Sequence, residues 1–333
     1  MKFRDPKSII IIAVFVVMNS FIIWKSFTQV APGLTENQKA KALAPEFTLI
    51  EQLDYFHLKD GIPQMSLAAA SMRSIGEEQA EFEFPKGVYN YQEKNKTLRY
   101  QAEAGIYKKE NEVLKLTTEV KVTTDEAEYL AQKVIYYFKK DLILGSGGVR
   151  FNGEDLKTRD QVTIAADSMR ANPNNKYTHF KGKVEGALER KKKYEGRLIF
   201  SSESLELEGQ KSMAHLLGDV RIKRSNYLIT AGKADLHMQN FNKSLKYFVL
   251  NDDVKMTETM ETPKGITKRN AFSERLEGFG REQKMVLTGA PRVEQGKDVI
   301  KGYRITVREN IDLIEVDDAM SDVQVKRKKE LKD

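Results

Sequence analysis

The sequence predicts an all-β protein, an elongated antiparallel jelly roll preceded by one N-terminal transmembrane helix. Three observations support this prediction. From Phe47 onwards apolar and polar residues alternate, without apolar runs of helical length. A valine that follows a short turn recurs seven times at intervals of 29 to 39 residues. A long apolar segment lies close to the N-terminus, where it suits a membrane span.

The repeated unit is clearest in residues 272–307. Residues 284–288 are predicted to form a strand, followed by a tight turn at residues 289–291. A further turn at residues 296–298 leads into a predicted strand over residues 299–307. The period of two in these apolar residues is typical of half-buried strands.

Versions of this unit recur through most of the chain. The marker valines are Val120, Val149, Val184, Val220, Val254, Val293 and Val323. Strands that contain alanine or serine lie between them, at residues 102–107, 131–137, 165–169, 201–207, 231–236 and 271–276. The turns before the valines are rich in glycine and aspartate, and we expect positive φ angles at Gly147, Gly148, Gly182 and Gly218.

A strand-only repeat must stack on its neighbours to bury its apolar face. We therefore expect a two-sheet body with about seven to eight strands per sheet, roughly 35–40 Å long. Its first strand, near residues 47–58, and its last, near residues 311–325, would have unpaired edges. Such edges invite another chain to add a strand.

The N-terminus carries the membrane signal. Basic residues precede an apolar run of 19 residues, 9–27, which as a helix would be about 28 Å long. The positive flank predicts a cytoplasmic N-terminus and a body on the other side of the membrane. A cleaved signal peptide is the alternative, but Val30-Ala31-Pro32 is a poor cleavage site.

Composition and motifs do not indicate catalysis. The chain has no cysteine, which excludes disulfides and thiolate metal sites. The net charge of +7 includes basic clusters at residues 190–193 and 326–329, but no stacking aromatics interleave with them, so nucleic acid is not expected. The four histidines are far apart in sequence, and turn chemistry accounts for the acidic pairs at residues 252–253 and 317–318 better than calcium does. No catalytic residue, metal or cofactor is predicted.

Several segments resemble the lipopolysaccharide-transport periplasmic bridge family, whose members share an OstA-like β-jelly roll. Residues 44–49 (APEFTL), 66–72 (SLAAASM) and 84–91 (FPKGVYNY) resemble the family's C component. Residues 284–307 (KMVLTGAPRVEQGKDVIKGYRITV) are more similar to its A component. The C component usually ends after one short jelly roll, whereas this chain continues well beyond that point.

The residue pattern predicts a cytoplasmic stub and anchor (1–30), a linker (31–45) and a basic tail (327–333). The resemblance divides the body between them into a C-like jelly roll (46–155) and A-like repeats (156–326). It also implies an apolar groove for acyl chains. The candidate groove residues are Phe82, Phe84, Tyr100, Leu116, Val120, Ile135, Tyr137, Val149 and Phe151. The candidate partner-edge residues are Phe47, Leu49, Leu53, Tyr55, Ile311, Leu313, Val323 and Val325.

The implied ligand is lipopolysaccharide, and the implied protein partners are the jelly rolls of an inner-membrane ABC transporter and a downstream bridge protein or outer-membrane receptor. The implied location is the inner membrane, with a single span and a periplasmic body. Two alternatives stay open. One is a membrane-anchored β-repeat scaffold that binds proteins rather than lipid. The other is a glycan-active enzyme with two carboxylates about 5–10 Å apart.

Overall fold

The computed structural model describes residues 47–322 except 60–61, 77, 92–95, 125–126, 155–159, 191–196, 225, 240–243, 263–264, 280–281, 283, 309–313 and 319. The predicted transmembrane helix and linker lie outside these residues, as do Ile311, Leu313, Val323 and Val325. Within the described part, no helix is long and apolar enough to cross a membrane.

The described residues form 22 strands in one antiparallel sheet, which confirms the predicted all-β class. A short 3-10 helix spans Phe138–Lys140. The strands are β1 (Phe47–Lys59), β2 (Ile62–Ile75), β3 (Gln79–Glu83), β4 (Lys86–Tyr91), β5 (Lys96–Gln101), β6 (Ala104–Lys108), β7 (Val113–Thr123), β8 (Ala127–Tyr137), β9 (Leu142–Glu154), β10 (Gln161–Asn172), β11 (Tyr177–Glu189), β12 (Leu198–Glu208), β13 (Met213–Arg224), β14 (Tyr227–Gln239), β15 (Ser244–Thr262), β16 (Gly265–Phe279), β17 (Lys284–Thr288), β18 (Arg292–Gln295), β19 (Asp298–Lys301), β20 (Arg304–Arg308), β21 (Ile314–Asp317) and β22 (Met320–Asp322).

The sheet is a meander in which each long strand pairs with the strands before and after it in the chain. Five long strands are each split into two, as β3–β4, β5–β6, β17–β18, β19–β20 and β21–β22. The 22 strands therefore correspond to 17 long strands. At about 4.8 Å per strand they extend over roughly 77 Å. The predicted seven to eight strands per sheet were too few, because each long strand contributes to both layers of the body.

A bend in the middle of the long strands creates these two layers. Gly147 and Gly148 both have a φ of 83°, and the pairing registers of the strands shift at the equivalent positions from β7 to β16. The predicted positive φ angles at Gly182 and Gly218 are confirmed as well. However, these glycines lie inside strands and form bulges that bend the strand, whereas the sequence pattern had placed turns there.

We call the two halves layer A and layer B. In β9, residues 142–146 belong to layer A and residues 149–154 to layer B. Layer A also contains β3, β6, β17, β20 and β21, and layer B contains β4, β5, β18, β19 and β22. The layers face each other: the ring centroids of Phe151 in layer B and Phe180 in layer A are 6.3 Å apart.

The marker valines lie directly beside the bend, in layer B. The six described markers before Val323 are at most 1% exposed. Two long strands are interrupted at the same line, one between β5 and β6 at Ala102–Glu103 and the other between β19 and β20 at Gly302–Tyr303. There the Tyr303 amide donates to the Asp317 carbonyl oxygen at 3.1 Å. The repeat seen in the sequence therefore marks the bend line and the deepest part of the core.

Candidate functional site

The interior between the layers carries a continuous row of aromatic and aliphatic side chains in the N-terminal strands. Tyr100 pairs with Val122, Val122 with Tyr129, and Tyr129 with Phe151, so the four side chains share one face. The rings of Tyr129 and Phe151 are 5.0 Å apart. Burial raises the pKa of Tyr129 and raises that of Tyr100 to about 12. The row is therefore a largely buried apolar strip on the inner surface.

Glycines beneath the aromatic rings shape this inner surface. The Tyr100 ring lies across Gly87, and the Phe151 ring lies across Gly153, so that a Cβ atom on either glycine would overlap the ring. The ring of Phe200 covers Gly186 in the same way. The rings occupy space that other side chains would fill, and they present their faces to the interior.

Six of the nine predicted groove residues lie in this interior. They belong to buried clusters or pack against them: Phe82, Tyr100, Leu116, Val120, Val149 and Phe151. Phe84 instead has a φ of 49° at the break between β3 and β4, and it is 62% exposed.

Ile135 and Tyr137 lie on the outer face. In β7 and β8, Leu116 pairs with Val134, whereas Ile135 pairs with Lys115 and Tyr137 with Val113. Leu116 and Val134 belong to one core cluster, so their neighbours along the strand point the other way. The inward orientation expected for Ile135 and Tyr137 is thereby corrected to an outward one.

The interior is packed more tightly towards the C-terminus. Around β1–β7 the buried clusters are small, and inner residues such as Leu67, Tyr107 and Leu114 are only partly buried. Around β14–β20 inner residues such as Leu276 and Ile305 are completely buried. Partial burial makes the N-terminal part of the interior the more accessible one.

Free strand edges lie at both ends of the described sheet. Strand β1 pairs with β2 and with no other described strand. Leu49 is 55% exposed, while Leu53 and Tyr55 are partly buried; the side chain of Phe47 lies outside the described residues. At the other end, β21 pairs only with β20 and β22 only with β19 among the described strands. Each edge has backbone groups to which another strand could pair.

Sequence reasoning missed a buried ion pair. Glu258 in β15 and Arg269 in β16 are cross-strand partners, and both side chains are 0% exposed. The Arg269 Nε donates to Glu258 Oε2 at 3.1 Å, and Arg269 Nη2 donates to the carbonyl oxygen of Arg308 in layer A at 3.1 Å. The alternation that buries Met256 and Ala271 also points Glu258 and Arg269 inward. This period of two in the sequence could have revealed the buried ion pair.

Among the described residues, no group of three or more His, Asp or Glu side chains could hold a metal ion. In a surface cleft of about 930 Å³ beside Phe272, Pro291 and Tyr303, Asp318 is the one carboxylate among the described lining residues. The His215 Nδ1 lies 2.6 Å from Asp235 Oδ1, a cross-strand pair in layer A.

Comparisons with known proteins match both parts of the chain. A family model described as "Lipopolysaccharide-assembly, LptC-related" matches residues 9–189, more than half of the chain. A second, "LptA/(LptD N-terminal domain) LPS transport protein", matches residues 200–312. Among solved structures the chain is similar to LptH, the LptA homologous periplasmic component of the lipopolysaccharide transport device from Pseudomonas aeruginosa. The identity is 20%, over 39% of this chain and 89% of that chain, with a TM-score of 0.32. A search of curated proteins finds no match.

Proposed function

Because the chain belongs to the lipopolysaccharide-assembly, LptC-related family, we propose that it is a non-enzymatic periplasmic bridge for lipopolysaccharide. It receives the lipid from an inner-membrane ABC transporter and passes it between layers A and B towards the outer membrane. The lipid's acyl chains contact the inner apolar row, while its sugars stay outside the sandwich. The energy for movement comes from the transporter.

The observation that carries this proposal is the accessible apolar interior of the N-terminal strands. Tyr100, Val122, Tyr129 and Phe151 form a row across four strands whose inner surface is flanked by partly buried aliphatic side chains. Transfer of apolar surface out of water is worth about 25 cal/mol per Å². Acyl chains gain this free energy in such a space without any directional polar contact.

The C-like and A-like parts form one path in this proposal. The LptC-related match ends at residue 189, and the LptA/LptD match begins at residue 200. The β11–β12 connection lies between them. Strands β11 and β12 pair from Tyr177–Glu208 to Leu188–Leu198, with a single shift at the bend. The A-like part thus continues the interior of the C-like part across a covalent, hydrogen-bonded connection. The expected division between residues 155 and 156 remains a prediction.

The anchor and the free edges define the partners in this proposal. Residues 1–30 hold the chain in the inner membrane with its N-terminus in the cytoplasm. The edge of β1 pairs with a jelly roll of the transporter's permease. The strands at the C-terminal end pair with a downstream bridge protein or the outer-membrane receptor, because both free edges can be extended by strand addition.

Two tyrosines on β8 provide a matched test. Tyr129 faces the interior and Tyr137 the outer surface. The photo-crosslinking amino acid p-benzoyl-phenylalanine replaces either one in the full chain, expressed in Gram-negative cells that make lipopolysaccharide. After irradiation, we expect lipopolysaccharide adducts from position 129 and few from position 137. Equal yields at the two positions, or no adduct at position 129, would contradict a lipid path through the interior.

A further inference from the structure

We propose that the Glu258–Arg269 pair closes the interior to acyl chains near β15 and β16. This proposal rests on the proposed function, and it assigns the ion pair a role in positioning the lipid. Acyl chains then occupy the interior from β1 to β12 and reach the last strands only when the pair separates.

The first observation is a change of chemistry along one inner row of layer B. In each strand of layer B the inward residues can be counted from the bend, and the third of them forms this row. In β10, β11 and β12 it is apolar: Val162 pairs with Leu188, and Leu188 pairs with Leu198. From β13 onwards the same row carries charged and amide side chains, with the buried ring of Tyr227 among them. It consists of Arg224, Tyr227, Glu258, Arg269 and Gln295, which pair in that order.

The second observation is that the ion pair links the two layers. Arg269 belongs to layer B, but its Nη2 donates to the Arg308 carbonyl oxygen at the end of β20 in layer A. The Asn226 side-chain amide donates to the other carboxylate oxygen of Glu258 at 3.3 Å. Of the salt bridges between described residues, this one alone has both side chains at 0% exposure.

These contacts oppose the entry of an acyl chain. A hydrocarbon chain that separated Arg269 from Glu258 or Arg308 would leave buried charged or polar groups without their partners. The N-terminal row of Tyr100, Val122, Tyr129 and Phe151 contains no charged side chain that the same acyl chain would separate from its partner. Acyl chains therefore favour the interior before β13, and separation of the layers near β20 is the event that admits them further.

The test uses two inward aliphatic positions in layer A, Leu114 before the pair and Ile314 beyond it; both are partly buried. The full chain carries p-benzoyl-phenylalanine at one position and is irradiated in cells that make lipopolysaccharide. In the wild-type background we expect adduct yields at position 314 at least about tenfold below those at 114, the factor that 1.4 kcal/mol represents. In the Glu258→Leu/Arg269→Met variant the yields become similar, because an apolar pair of similar volume is compatible with folding.

The variant Arg269→Lys is the matched control. It keeps a buried cation that can donate to both Glu258 and the Arg308 carbonyl oxygen, so the low yield at position 314 is expected to persist. High yield at 314 in the wild-type background, or no increase in the apolar variant while position 114 stays labelled, overturns the closure. Loss of labelling at position 114 in the wild-type background instead overturns the proposed function, and the closure with it.

Discussion

The bend in β9 allows its conformational and steric requirements to be separated. Gly147 and Gly148 share a φ of 83°, so alanine at either position meets the same left-handed backbone. Their surroundings differ: a Cβ on Gly147 would lie 2.6 Å from the Gln132 Cβ in the neighbouring strand, whereas a Cβ on Gly148 would have nothing within 4 Å. The two substitutions therefore differ mainly in the contact with β8.

The expected magnitudes follow from these two terms. A left-handed conformation costs a non-glycine residue about 1–2 kcal/mol. Overpacking against Gln132 adds about 1–3 kcal/mol. We expect Gly148→Ala to lower the free energy of unfolding by about 1–2 kcal/mol and Gly147→Ala by about 2–5 kcal/mol, because only the latter must move β8.

Urea unfolding of the full chain in detergent, followed by circular dichroism, measures both values. The comparison is valid if the two variants keep the same denaturant slope, since a change in slope reports a change in the exposed surface. Equal destabilisation by the two substitutions would refute the reasoning, because the close approach of β8 to Gly147 would then contribute nothing. Greater destabilisation by Gly148→Ala would refute it as well.

Two further predictions concern the interior and the edge. Burial raises the pKa of Tyr100 from 10.0 to about 12, so the Tyr100 hydroxyl ionises at a lower pH in the unfolded chain than in the folded one. Its contribution to the stability of the folded state is complete below pH 10 and is lost as the pH rises towards 12. When the pH rises from about 9 to about 11, the free energy of unfolding, measured by urea titration, should fall by about 1 kcal/mol less in Tyr100→Phe than in the wild type. An equal fall in both proteins would contradict the raised pKa of Tyr100. At the edge, Leu49→Lys and Phe56→Lys place charges on residues that are 55% and 62% exposed, and should reduce co-purification of the transporter while changing stability by less than about 0.5 kcal/mol. Leu228→Lys, on the doubly paired β14 and 42% exposed, should leave recovery unchanged, and equal losses would argue against pairing through β1.

Alternation alone predicted the strands well where no bulge intervenes. Strand β17 has the predicted bounds, Lys284–Thr288, and the marker valines lie in the core. The glycines before them were assigned to turns because turns and bulges both require positive φ. Residue type therefore locates the special backbone conformation but does not distinguish a reversal of the chain from a bend within it.

The misplaced groove residues have the same cause. In β8 the inward positions 129 and 131 are followed by 134 and 136, since the register shifts between Leu130 and Lys133. If the period of two is continued from Ala131 without the bulge, it predicts Ile135 and Tyr137 as inward residues. Each lies one position after the true inward residue, at 134 and 136. A single extra residue at the bulge thus reverses the face of every later side chain in that strand.

The bend also explains why the interior can lengthen without a new design. Each long strand has its own bulge, which separates a segment in layer A from a segment in layer B. The bend line therefore continues across every pairing from β7 to β16. An apolar row made by repetition has no intrinsic direction, because its contacts are alike at each strand. Asymmetry enters through the tighter C-terminal packing and the Glu258–Arg269 pair. In the proposed function, both raise the free energy of an acyl chain as it approaches the last strands, so movement in that direction would require work from the proposed partner at the N-terminal edge.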